Sequence, residues 1–370
     1  MPRALTLKRI EGGKPGKVYY PLQVVDVPKP TPGPKDVVVR ISAAALNHRD
    51  LFIRQHLYPG ISFDHPLLAD GYGTVEEVGS GSAHSSQLLH KPVLLNPCWG
   101  WESDPAGPED GGKRYSAIGA AVMYDAGTAQ EYVRVPEDEV VLAPEHLTAS
   151  EGAALPLVGL TAWRALVTKS GAVADPAVPT NVLITGIGGG VALQALQFAV
   201  AFGCRVYVTS GDETKLERAK QLGAAGGVSY WAADWDRQLQ ALLPPERPFL
   251  DAVIDGAGGD IVGRTTRLLK PGGVIVVYGM TVGPKMDWTM QAVLKNIDLK
   301  GSTMGSRKEF REMVDFVRAK QIRPVVSRVV TGLDNLEAID GLFEDMKSGK
   351  QFGKLVIAIA PEDGDSASKL

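Results

Sequence analysis

The 370-residue sequence holds only two cysteines, Cys98 and Cys204. A disulfide framework is therefore excluded as the support of the fold, a reducing compartment is the expected setting, and an all-cysteine zinc site cannot be built. A basic excess is also missing. Thirty-nine Lys and Arg stand against 42 Asp and Glu, a formal charge of −3, where a nucleic-acid-binding chain normally carries a positive balance. No apolar run approaches the roughly 18 residues that cross a bilayer, so no membrane span is expected. The first residues, MPRALTLKRIEGGK, lack the apolar core and small-residue cleavage site of a secretory signal, and none is expected. No internal repeat is visible. What is present is 44% hydrophobic and 22% charged residues, the composition of a soluble folded chain. Forty-two glycines and 25 prolines without a period predict tight turns and backbone close to a ligand. At about 150 residues per domain, the length predicts two domains.

The first 145 residues read as strand and turn. Val37–Ile41 and Thr74–Val78 are short β-rich runs, the second punctuated by Gly71, Gly73, Gly79 and Gly81. The segment 101–114, WESDPAGPEDGGKR, is polar and full of turn formers, which predicts a surface loop. Near residue 150 the texture changes. Helices are predicted from Ser150 and over Gly159–Val167. From Asn181 apolar strands alternate with helices: strands 182–185, 205–209, 252–254 and 274–277, helices 191–202 and 213–222. That alternation predicts an α/β domain with a parallel sheet covered on both faces. A charged amphipathic helix is expected over 307–320. The apolar run 355–359 returns to strand texture and is expected to rejoin the first domain.

The strand at 182–185 runs into Gly186-Ile187-Gly188-Gly189-Gly190-Val191-Ala192 and then a helix. Glycines there let backbone approach a pyrophosphate, and a helix N-terminus supplies free N–H groups and positive potential. Strict G-x-G-x-x-G spacing fails at Val191, but the strand–glycine–helix context is the stronger signal. The next strand ends Val208-Thr209-Ser210-Gly211, where an NAD site usually places an acid for the ribose 2′-hydroxyl. Ser210, Lys215 and Tyr230 in that neighbourhood suit a 2′-phosphate and predict NADP. Asp212 is open to two readings, a helix N-cap or a ribose ligand that would favour NAD. Gly256 and Gly279 follow later strands at their carboxyl ends, where small residues permit close approach of a ring or merely make a turn.

The chain resembles a medium-chain dehydrogenase/reductase of the zinc-independent quinone oxidoreductase type. The resemblance spans nearly the whole length and rests on Ala45-Leu46-Asn47-His48-Arg49-Asp50-Leu51, Ala69-Asp70-Gly71-Tyr72-Gly73-Thr74-Val75, Gly127–Tyr132, Leu160–Leu166 and Gly189-Gly190-Val191-Ala192. It implies a GroES-like β-rich catalytic domain, 1–158 completed by 321–370, and a doubly wound Rossmann domain, 159–320, inserted within it. Zinc-dependent members of the superfamily are similar overall. Their first ligand corresponds to Asn47, their Gly-His-Glu segment to Ala69-Asp70-Gly71, and their third ligand falls near Leu157 and Val158. None of these is a Cys or His, and only Cys98 lies where four structural-zinc cysteines would be needed, so no metal is expected. Both cysteines are expected to be buried small apolar residues.

Without a metal, hydrogen bonds must polarise the substrate oxygen, and a conjugated carbonyl needs least help because hydride addition gives a delocalised anion. The resemblance implies Asn47 as the group nearest substrate and nicotinamide, and Asp50 and Tyr58 as lining the substrate cleft. Asp50 also suits a turn or helix cap, and Tyr58 a packed aromatic. Thr161 resembles a nicotinamide-side contact, or is a hydroxyl at a helix start. The expected activity is NADPH-dependent reduction of a quinone, enone or similar activated acceptor. An enoyl-thioester or pathway-specific reductase, and an NADPH-binding sensor without turnover, are the alternatives. A homodimer paired through the edge near Leu299-Lys300-Gly301 is expected from the family and from the tendency of strand edges to be covered. The sequence ends Ser368-Lys369-Leu370, a tripeptide that a peroxisomal import receptor reads, preceded by the polar stretch PEDGDSA. Peroxisomal location is therefore expected.

Overall fold

The computed structural model describes residues 1–173, 179–283 and 285–360. The acidic stretch 361–367 and the tripeptide Ser368, Lys369, Leu370 lie outside the described residues. The chain divides into two units, Met1–Leu157 with the residues from Ser306 onward, and Val158–Gly305.

In the first unit a largely antiparallel sheet runs in the order Val326–Thr331, Lys354–Ala358, Asp36–Ala45, Asp70–Val78, Pro92–Leu95, Val140–Leu142, and Tyr132–Pro136 also pairs with Asp36–Ala45. Asp36–Ala45 is the hub. Its Val37-Val38-Val39 run favours extended backbone, and its apolar side chains are buried on both faces. The run at 355–359 does rejoin this unit: Val356 pairs with Ala45 and Ile357 with Ala44. The same central strand pairs Ala45 with Asp70 on its other side.

The chain returns to this unit at Ser306 rather than at 321. Ser306 caps the helix Arg307–Lys320 together with Glu309. The amides of Arg307 and Lys308 donate to the carbonyls of Trp101 and Glu102, each at 2.9 Å. Phe310, Met313, Val314 and Val317, spaced for one helical face, are buried. The Arg307 guanidinium meets the buried Glu139 carboxylate at 2.7 Å. Charge periodicity alone does not tell which body a helix joins; these contacts do. The segment 101–114 is a surface loop, as expected. Its anchor is Glu109, whose carboxylate accepts from the amides of Glu102, Ser103 and Asp104 at 2.7, 2.8 and 3.0 Å.

The second unit is a six-stranded parallel sheet in the order Gly226–Ser229, Arg205–Ser210, Asn181–Ile184, Leu250–Asp255, Leu269–Val277, Asp298–Gly301. This is the doubly wound order in which the first strand lies centrally and a crevice opens at its carboxyl end. Leu183, Tyr207, Val253 and Ile275 pack with Trp235, Leu239, Ile261 and Val262 into one core. The sheet ends at Asp298–Gly301, the strand that the sequence places at the edge. Among the described residues no helix is long and apolar enough to cross a membrane. Cys98 is buried, and Cys204 is half-buried with its thiol pushed up by burial.

Candidate active site

In the second unit the strand Asn181–Ile184 delivers the chain into the glycine turn, and the helix Gly190–Ala201 follows. Gly186 and Gly188 have φ of +66° and +118°, left-handed values that a Cβ would strain. Gly189 is the N-cap and offers no side chain to the helix, so the first-turn amides at Gly190 and Val191 are left for a ligand. A Cβ on Gly189 would meet nothing closer than the Gly186 carbonyl at 3.7 Å. An open, amide-lined cradle of this kind fits the pyrophosphate of a dinucleotide.

Lys215 lies over this cradle: a Cβ on Gly188 would stand 2.8 Å from its Cδ and 3.2 Å from its Nζ. Burial lowers the pKa of its ammonium. Asp212 is the N-cap of Glu213–Gln221 and accepts from Thr214 N at 2.8 Å and Thr214 Oγ1 at 2.6 Å, so the capping reading holds. Ser210 is buried and its hydroxyl accepts from the Asp212 amide at 3.1 Å, which makes it a turn residue rather than an open phosphate ligand. The accessible polar groups at this strand end are instead the Tyr230 hydroxyl and the indole N–H of Trp231, a residue that sequence reasoning missed. A Cβ on Gly211 would stand 2.6 Å from Tyr230 Oη, so glycine is what lets the pair close over the strand end. Trp231 is 76% exposed, a flat surface left open beside Gly211.

Gly256 is small for a local reason: a Cβ there would stand 2.5 Å from the Tyr278 hydroxyl. Its need for glycine comes from Tyr278, not from a ligand ring. At Gly279 the tightest neighbour of a Cβ would be the Gly256 carbonyl at 3.2 Å, so these two turns are packed on one another. Asp255, buried and with its pKa raised by that burial, accepts from Thr185 Oγ1 at 2.6 Å and from the Gly258 amide at 2.8 Å. Thr161 lies inside the helix Pro156–Trp163, not at its start, and its hydroxyl faces Met304 Sδ at 3.8 Å.

The first unit carries a polar cluster that its sheet register builds. Val356 lies opposite Ala45; two residues back along one strand and two onward from the other bring Lys354 and Asn47 together. Ala45 lies opposite Asp70 on its other flank. The result is one buried network. Lys354 Nζ donates to the Leu46 carbonyl at 2.7 Å, to Asn47 Oδ1 at 2.6 Å and to Asp70 Oδ2 at 2.7 Å. Asn47 Nδ2 donates to Asp70 Oδ2 at 2.8 Å, and Asp70 Oδ1 accepts from the Leu157 amide at 2.7 Å. Asn47, which the resemblance singles out, is thus a member of a trio whose other two members sequence reasoning did not assign.

Asp50 is fully buried at the third position of the helix His48–Arg54. It accepts from the Asn47 amide at 2.8 Å and pairs with Arg49 at 3.1 Å. Its carboxyl is raised by burial, against the pull of Arg49. The cap reading therefore replaces the cleft-lining one. Tyr58 is half-buried beneath the Arg49 guanidinium. It lines an open depression of about 490 Å³ with His56, Leu57, Ile61 and Phe63. His48 is exposed.

Residues 33–145 match the alcohol dehydrogenase GroES-like domain and residues 190–319 the zinc-binding dehydrogenase family. The chain is 59% identical to the zinc-type alcohol dehydrogenase-like protein YogA of Leptosphaeria maculans, over 97% of its own length and 100% of the relative's. It is 26% identical to an acryloyl-coenzyme A reductase of Sulfurisphaera tokodaii, over 90% and 95% of the two chains. The crystal structure of an NAD-dependent alcohol dehydrogenase matches with a TM-score of 0.80 at 32% identity, over 97% and 100% of the two chains.

Zinc is the metal that this kinship implies, and the donor set does not fit it. Zinc takes three or four Cys, His or carboxylate ligands. Here the Asn47 amide oxygen and the Asp70 carboxylate converge on an ammonium, and Leu157 contributes only a backbone N–H. Among the described residues no group of three or more His, Cys, Asp or Glu is placed to hold a metal.

Proposed function

Because the chain belongs to the medium-chain dehydrogenase/reductase family and is an NAD(P)H-dependent oxidoreductase, we propose that it reduces an activated acceptor, a quinone, enone or similar conjugated carbonyl or alkene, with NADPH and without zinc. The observation that carries this reading is the buried Asn47–Asp70–Lys354 trio, which offers a hydrogen-bond donor where a zinc enzyme needs ligands. NADPH, when bound, supplies hydride. The chain's own part is to hold that cofactor on the glycine cradle and to stabilise the oxygen on which charge develops. A single amide donor with no Lewis acid beside it must meet the whole developing charge, so an acceptor whose anion is delocalised suits it better than an isolated ketone.

The preference for NADPH rests on the Lys215 ammonium and the Tyr230 and Trp231 donors around Gly211, with Asp212 engaged by Thr214. The 26% identity to an acryloyl-coenzyme A reductase supports a second reading, in which the activated alkene is an enoyl thioester. Exposed Leu299 on the edge strand, with exposed Met290, Val293 and Leu294 nearby in sequence, supports pairing of two copies along Asp298–Gly301; light scattering at micromolar concentration tests it, and a monomer would refute it. The test of the activity is cofactor oxidation against a panel of quinones, enones, enoyl thioesters, aldehydes and alcohols, run with NADPH and NADH. Fastest turnover of a conjugated acceptor with NADPH is expected; exclusive alcohol–aldehyde interconversion would refute the acceptor class.

A further inference from the structure

An ammonium has three N–H donors, and Lys354 directs all three at oxygens 2.6 to 2.7 Å away, on Leu46, Asn47 and Asp70. The residue is 4% exposed and Asp70 is fully buried. A buried ion pair is no more stabilising than apolar side chains of the same volume, and is often less so. Stability alone therefore does not explain this pair. Nor does neutrality explain the contact with Asn47, since Asp70 already balances the charge.

The contact has two effects on the Asn47 amide. The first is geometric. Oδ1 faces the ammonium and one Nδ2 proton faces the Asp70 carboxylate. A flipped amide would set its NH₂ group against the ammonium and its oxygen against the carboxylate. The amide is thereby locked, and its remaining Nδ2 N–H is a donor in every accessible state. The second is electronic. A cation on the carbonyl end draws electron density from the amide nitrogen and strengthens that remaining donor, an effect that low dielectric enlarges.

We infer that Lys354 is a positioning residue for the reduction, fixing and polarising the Asn47 amide so that its free Nδ2 N–H donates to the acceptor oxygen as hydride arrives. This rests on the reading of Asn47 as the group that meets the acceptor. In that step hydride from NADPH forms the new C–H bond, the π electron pair of the acceptor moves onto oxygen, and a proton from water completes the product. Lys354 keeps its proton and touches no substrate.

Two variants test this: Lys354→Met, and the double variant Lys354→Met with Asp70→Asn. The single variant leaves a buried carboxylate unpaired; the double removes both charges. Turnover of each is measured on whichever acceptor of the panel the wild type reduces fastest, alongside thermal melting. We expect kcat to fall about 100-fold in both, with KM for NADPH within about twofold of wild type, while the double variant recovers most of the melting temperature that the single one loses. A double variant that regains kcat along with stability would overturn the inference and leave Lys354 a structural residue. So would a folded Lys354→Met with wild-type kcat. If the single variant does not fold, the double one decides. A wild type that reduces an aldehyde faster than every conjugated acceptor defeats the acceptor class alone, because the Lys354 comparison is then made on that aldehyde.

Discussion

Nζ of Lys354 lies 2.7 Å from Oδ2 of Asp70, across 284 residues of sequence, with both side chains buried. The strand Asp36–Ala45 brings them together by pairing with Lys354–Ala358 on one edge and with Asp70–Val78 on the other. An ion pair placed by sheet register is held as firmly as the sheet itself, which is what a site that must keep a polar group in one orientation requires.

Asp70→Ala removes the acceptor for Lys354, Asn47 and the Leu157 amide at once. Leaving a buried ammonium unpaired costs about 3–5 kcal/mol. A urea unfolding curve of the variant should shift its midpoint accordingly at unchanged slope; a loss below about 1 kcal/mol would show the pair to be solvated.

On the proposed preference for NADPH, Lys215→Ala removes the cation assigned to the 2′-phosphate, a charge-assisted interaction of about 1.5–3 kcal/mol. Fluorescence titration should show NADPH weakened by about 10- to 100-fold and NADH by less than about twofold. Equal losses for both would move the phosphate site elsewhere.

Glu109 titrates unusually low. Burial works against it, but the amides of Ser103, Glu102 and Asp104 hold its carboxyl down to about 2. A carboxyl depressed on folding contributes stability that is present above its ordinary pKa, near 4.5, and is lost as pH falls to about 2. Glu109→Gln should therefore be less stable at neutral pH, by about 1 kcal/mol once solvent screening is allowed for. The gap from wild type should close between about pH 4.5 and about pH 2. Melting temperatures of the two proteins across that range check it; a gap independent of pH would contradict it.

Asp50→Asn keeps an acceptor for the Asn47 amide but drops the charge that pairs with Arg49. Stability should fall by about 1–3 kcal/mol, with kcat of the folded protein within about threefold of wild type. A collapse of kcat at native stability would favour the cleft-lining reading of Asp50 over the cap.

Local patterns in the sequence predicted local structure well. Alternating apolar strands and helices from Asn181, and the glycines before Val191, point to the parallel sheet and its glycine turn, because such turns and helix starts are encoded within a few residues. Asp212 and Asp50 were legible as caps for the same reason, although not separable from ligand roles until Thr214 and Arg49 were seen beside them. What the sequence concealed depends on register and packing. Lys354 and Asp70 look like ordinary charged residues flanking strands, and only the pairing of Asp36–Ala45 on both edges brings them to Asn47. Trp231 was missed because its exposure follows from how the chain turns after Gly226–Ser229. The helix Arg307–Lys320 belongs to the first unit, where the sequence expects it in the second, because its amphipathic stripe says that it packs, not on which core.

The central claim is that hydrogen bonding from the Asn47–Asp70–Lys354 trio, not a metal, activates the acceptor. The most direct measurement is turnover of NADPH with a conjugated acceptor before and after exhaustive treatment with a zinc chelator, with zinc content determined on the same samples. The account predicts far less than one zinc per chain and an unchanged rate. One tightly held zinc per chain, with activity lost on its removal and restored on its return, would contradict it.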